Sequence, residues 1–93
     1  MILLIHKINR SEVVNIWTTI LKKISQYLNN VKYKGQYEML LKSNGVIELH
    51  TVGKLKNKMN NDDEFYHEFK NFIDNLGLDM DLIDLETLEI WEE

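Results

Sequence analysis

Two hydrophobic periods alternate along the 93 residues of this chain, and their alternation lays out its elements. From Ser11 to Asn29, apolar side chains recur at Val13, Trp17, Ile20, Ile24 and Tyr27, with Ile16, Leu21 and Leu28 widening the stripe. Lys22, Lys23 and Gln26 fall on the opposite side. That spacing is the 3.6-residue period of an amphipathic helix. Ser11 is a good N-cap, and Asn29-Asn30 ends the stretch. The same period returns in Phe65, Phe69, Phe72 and Leu76. It predicts a second helix over about 62–76, capped by Asn61. Asp62, Asp63 and Glu64 then occupy its first turn, where negative charge meets the positive end of the helix dipole. Gly77 stands at its C-cap.

Between the helices the period drops to two. Tyr37, Met39 and Leu41 alternate on one side of Ser43-Asn44-Gly45, and Ile47, Leu49 and Thr51 on the other. A two-residue turn would pair Leu41 with Glu48 and Met39 with His50, which mixes the faces. A three-residue loop pairs Leu41 with Ile47, Met39 with Leu49 and Tyr37 with Thr51. The sequence therefore predicts a hairpin over 36–52, with a type I turn and Gly45 left-handed in a bulge. The other face carries Glu38, Leu40, Lys42, Val46, Glu48 and His50.

The remaining stretches are less regular. Residues 1–8 form a short apolar run that reads as a buried strand, the alternative being a helix that continues into the next element. Residues 53–60 read as a loop with three cations, Lys54, Lys56 and Lys58. Residues 85–91 read as a final strand with Glu86, Leu88 and Ile90 on one face. A helix is the alternative there, because Leu82, Leu85, Leu88 and Trp91 recur every three residues. The order is β-α-β-β-α-β in a single α+β domain, 1–93. That suggests a two-layer, ferredoxin-like antiparallel sheet with two helices on one face. Helical termini would give instead a hairpin packed by helices.

Charge is distributed unevenly along the chain. The net value is −4, but twelve of the 15 carboxylates lie in residues 62–93, against Lys70 alone, a local net of −11. The first 61 residues carry a net +7. Such polarity points to an electrostatic partner. Cysteine is absent, which excludes disulfides, thiolate metal sites and a cysteine nucleophile. Residues 1–5 are apolar but too short, and wrongly flanked, for a signal peptide, and no stretch is long enough for a membrane span. The expectation is a soluble cytoplasmic protein with no membrane partner.

Residues suited to catalysis or metal binding are sparse. His6 and His50 would approach each other if the first strand lay beside the third, but a metal site needs further placed ligands. Glu64 and His67 match the Glu-x-x-His spacing of di-iron bundles, which need a second copy of the motif. Ser11, Ser25 and Ser43 fit a cap, a helix surface and a turn, and no glycine-rich phosphate loop is present. Neither an enzyme nor a cofactor is expected. The sheet lacks the stacking aromatics of RNA-binding sheets. A lysine surface of Lys54, Lys56 and Lys58, with Lys22, Lys23, Lys32 and Lys34, is the alternative for direct nucleic-acid binding. A homodimer sealed by Leu40 and Val46 on the open sheet face is another.

Asp62-Asp63-Glu64-Phe65-Tyr66, on a helix after a hairpin, resembles the acidic helix of small phage-encoded anti-CRISPR inhibitors of the DNA-mimic type. The resemblance implies a stoichiometric, non-enzymatic inhibitor that docks on a basic nucleic-acid-binding enzyme. The binding residues then expected are Asp62, Asp63, Glu64, Tyr66, Glu68, Asp79, Asp81 and Asp84.

Overall fold

The computed structural model describes residues 2–93, with side chains from Ile16 onward. Helix α1 spans Ile2–Asn30. The strand expected over 1–8 is therefore replaced by helix, apart from Met1, which lies outside the described residues. Ser11 sits inside α1 and does not cap it. The physical reason is the absence of a breaker: the stretch has neither proline nor glycine, so nothing at Asn9-Arg10-Ser11 ends the hydrogen-bond ladder. What ends α1 is a left-handed residue, Lys32, at φ 74°. Tyr33 N–H donates to Leu28 O at 2.9 Å and Lys32 N–H to Asn29 O at 3.0 Å. This double closure is a Schellman motif.

Strands β1 (Tyr37–Leu41) and β2 (Ile47–Thr51) form the expected hairpin. Its register pairs Tyr37 with Thr51, Met39 with Leu49 and Leu41 with Ile47. Gly45 adopts φ 83° and donates to Lys42 O, as the three-residue loop requires. Residues 53–60, read from the sequence as a loop, are instead helical: α2 spans Gly53–Asn61. Its three lysines mask an i, i+4 pair, Leu55 and Met59, both buried. Asp62 separates α2 from α3 (Asp63–Asn75). Asp62, rather than Asn61, is the N-cap of α3, its carboxylate accepting Phe65 N–H at 3.0 Å. Gly77, at φ 79°, follows the end of α3.

Two strands close the chain: β3 (Leu78–Leu82) and β4 (Thr87–Glu92). β4 is the final strand expected from the sequence, and β3 is an addition to it. The fold is α+β, and the described residues form three helices and one four-stranded antiparallel sheet of order β1-β2-β4-β3. This is compatible with the expected ferredoxin-like arrangement in strand number and in having antiparallel neighbours throughout. The slot beside β2 that the N-terminal strand was expected to fill is taken by β4, and β3 supplies the edge.

One hydrophobic cluster joins the layers. Ile47, Leu49, Leu78, Met80, Leu88 and Ile90 come from the sheet. Ile24 and Leu28 of α1, Leu55 and Met59 of α2, and Phe69 and Ile73 of α3 meet them. The paired register puts all six sheet residues on one face, called here the inner face. Tyr27 stacks on Phe72 with ring centroids 4.4 Å apart and so packs α1 against α3. Among the described residues no helix is long and apolar enough to cross a membrane.

Candidate interaction surface

The α3 start is less available than its sequence implies. Asp62 caps α3 and also accepts Lys58 Nζ at 2.9 Å. The Lys58 bond, then the Phe65 N–H, hold its carboxyl below the usual aspartate range. Asp63, Glu64 and Glu68 are exposed. Asp62, Glu64 and Glu68 border a cleft of about 250 Å³ with Lys58, Phe65, Tyr27, Val31 and Tyr33. Tyr66 is half-buried against the core, and that burial pushes its phenol upward.

Asp84 lies in the turn between β3 and β4, where its Oδ1 accepts Glu86 N–H and Thr87 N–H, each at 2.9 Å. These bonds hold its carboxyl low. Asp79 accepts Lys70 Nζ at 2.9 Å and Met80 N–H at 2.8 Å, which lowers its carboxyl in turn. Three of the eight expected residues, Asp62, Asp79 and Asp84, thus already serve the fold. The structure places Asp63, Glu64 and Glu68 on α3, and Asp79 and Asp81 on β3.

The outer face of the sheet brings further carboxylates together. Register pairs Leu40 with Glu48, Glu48 with Glu89, and Glu89 with Asp81. Direct cross-strand partners share a face, so Glu48, Glu89 and Asp81 form one row across β2, β4 and β3. Glu38, His50 and Thr87 make the next row, and Trp91 stands opposite Asp79. The helix side chains of the core cluster meet the inner face. From α3, Lys70 reaches the edge strand, where it also donates to Met80 O at 3.5 Å.

Lys42 and the His50 ring flank the row at one end. Lys42 Nζ donates to Glu48 Oε2 at 3.1 Å, and His50 Nε2 lies 3.1 Å from Glu48 Oε1. Lys42 first, then His50, hold the Glu48 carboxyl below the usual range. Glu89 and Asp81 have no ion pair among the described residues. Glu48, Glu89 and Trp91 were not among the expected site residues. Their signal was the alternation Thr87, Glu89, Trp91 against Leu88, Ile90, but which face looks outward depends on the pairing of β4 with β2.

The alternative sites divide differently. Lys54, Lys56 and Lys58 ride on α2, and Lys56 is paired with Glu86 at 3.3 Å, Lys58 with Asp62. The basic half thereby neutralises part of the acidic half within the molecule. His50 bonds Glu48 and lies 3.4 Å from Thr87 Oγ1. His6 is in α1, not on a strand beside β2, and its side chain lies outside the described residues. Among the described residues no three His, Asp or Glu side chains gather in a metal-binding group. Glu64 and His67 lie on α3 as one turn of that helix.

No protein-family model matches this chain, and neither the curated proteins nor the solved structures contain a significant match to it.

Proposed function

We propose that this protein is a non-enzymatic interaction module that docks the acidic outer face of its sheet on a basic protein surface. The observation that supports this is the row Glu48, Glu89 and Asp81 on three adjacent strands. Like charges directly opposite on neighbouring strands destabilise a sheet. Lys42 already offsets Glu48, so the uncompensated repulsion lies between Glu89 and Asp81; a cationic partner removes it on binding and is steered to the site by the same field. The sheet backbone fixes the spacing of the carboxylates in advance, so little ordering is needed on docking. Trp91, half-exposed in the same face, and Leu40, 56% exposed, supply apolar anchors beside the charges. The partner such charges fit is a protein surface of Lys and Arg side chains arranged to hold phosphates, as nucleic-acid-handling proteins present.

Capture with tagged protein from nuclease-treated lysate tests the reading through two variants. Wild type and the Asp63→Lys/Glu64→Lys control retain the same basic protein, whereas Asp81→Lys/Glu89→Lys loses it. Equal retention by Asp81→Lys/Glu89→Lys, or a protein retained only when the nuclease is left out, overturns the proposal.

A further inference from the structure

The two edges of the sheet are finished differently. Along β3, Gly77 O accepts Glu93 N–H and Ile83 N–H donates to Thr87 O, so odd-numbered residues face β4 and even-numbered ones face outward. Met80 is the central outward residue. Its N–H is taken by Asp79 Oδ1 and its carbonyl by Lys70 Nζ. That edge is closed to another strand, as edge strands of soluble proteins commonly are.

Edge strand β1 has no such closure. Val52 N–H donates to Gln36 O and Lys42 N–H to Val46 O, so even-numbered residues face β2. The backbone groups of Tyr37, Met39 and Leu41 turn outward, and among the described residues no side chain bonds them. The strand has neither proline nor bulge, and two of its five residues are large exposed apolar ones, Leu40 at 56% and Leu41 at 39%.

We propose that β1 pairs antiparallel with β1 of a second copy about a two-fold axis at Leu40. The strand is complementary to itself in this register. Met39 and Leu41 of one copy face Leu41 and Met39 of the other, and their outward N–H and carbonyl groups exchange hydrogen bonds. Leu40 then meets Leu40 at a non-hydrogen-bonded position, where side chains approach most closely. Glu38 faces Lys42 of the second copy, and Lys42 faces its Glu38, giving two opposite-charge pairs. Both exposed leucines become buried. The product is one continuous eight-stranded sheet, four strands from each copy, with both acidic outer faces on the same side. The dimer occupies Leu40, one of the anchors named for docking, but leaves Glu89, Asp81 and Trp91 on the outer face; it is tested on purified protein alone, so the two proposals fail separately.

Sedimentation of the full chain over a concentration series is the test. Wild type dimerises, and Leu40→Lys, at an exposed position, weakens dimerisation about tenfold or more by placing two ammonium groups at the axis. Glu38→Lys alone and Lys42→Glu alone are monomeric at the concentration where wild type is dimeric. Mixed together, these two variants dimerise, because each supplies the charge the other lacks. A change in fold stability cannot produce that restoration. A monomeric wild type, a dimer indifferent to Leu40→Lys, or a mixture that stays monomeric overturns the proposal.

Discussion

The Tyr37 hydroxyl lies 2.7 Å from Ser25 Oγ and donates to Asn29 Oδ1 at 2.7 Å, which pins the edge strand β1 to the last turns of α1. Most of the other core contacts between the helices and the sheet are apolar, so this pair of bonds is the polar lock at that corner. A Tyr37→Phe substitution keeps the ring and removes both bonds. It lowers stability by about 1 kcal/mol, the usual net worth of such a hydrogen bond. Urea unfolding reads this as a lower midpoint with an unchanged slope. An unchanged midpoint would show that Ser25 and Asn29 gain as much from water.

Lys32 holds a left-handed conformation that side chains with a Cβ disfavour. The Schellman closure of α1 requires that conformation, and glycine adopts it without strain. Lys32→Gly therefore raises stability by about 0.5–1 kcal/mol, although glycine also gives the unfolded chain more freedom. Thermal melting checks the sign. A clear loss would mean that the Lys32 side chain contributes more than its backbone strain removes.

Gly53 and Gln36 act together at the start of α2. The N-cap position, Val52, provides no side-chain bond, and Gln36 Oε1 accepts Leu55 N–H at 3.0 Å from outside the helix. A Cβ at Gly53, whose φ is 60°, would come within 3.2 Å of that same oxygen. Gly53→Ala is thus strained twice, in its own backbone and through the displaced amide. The expected loss is about 1–2 kcal/mol, larger than the ~1 kcal/mol expected for Gln36→Ala. In the double variant the two losses add to less than their sum, because both act on one hydrogen bond. Strict additivity would separate the two effects.

Acid sensitivity follows from the carboxylates that serve the fold. Asp62, Asp79, Asp84 and Glu48 all hold their protons less tightly when folded, against ordinary values of 3.8 for Asp and 4.5 for Glu. Their stabilisation is complete above the unfolded values and drains as pH falls through the lowered folded ones. The melting temperature should stay level from neutral pH to about 5 and then drop steadily below about 4.5. Asp84→Asn keeps a carbonyl oxygen for the two turn N–H groups, so it flattens part of that acid slope while leaving the turn intact. A slope identical to wild type would remove Asp84 from the account. Lys58 and Lys70, raised by Asp62 and Asp79, add an alkaline counterpart that is lost as pH climbs past their folded values.

The elements with strong internal periodicity were legible from the residues. Phe65, Phe69 and Phe72 marked α3, and matching the faces of Tyr37–Leu41 and Ile47–Thr51 fixed both the hairpin register and the left-handed Gly45. Shorter apolar runs were ambiguous, because periodicity cannot distinguish a buried strand from a helix over a few residues. Residues 2–8 went to helix for want of a breaker, and Leu78, Met80 and Leu82, whose alternation with Asp79 and Asp81 spans only five residues, went to a strand that the sequence reading did not assign. Leu55 and Met59 were hidden among lysines.

The charge polarity, the apolar faces of α3 and of the hairpin, and the exclusion of thiol chemistry are all written in the residues, since each is a property of composition or local spacing. Which carboxylates remain available depends on long-range folding. Asp62, Asp79, Asp84 and Glu48 are engaged because Lys58, Lys70, the turn amides of Glu86 and Thr87, and Lys42 fold against them, which leaves Glu89 and Asp81 without an ion pair among the described residues. Glu48, Glu89 and Asp81 stand in one row because β4 pairs between β2 and β3. Strand pairing acts between residues far apart in the chain, and no local pattern specifies it.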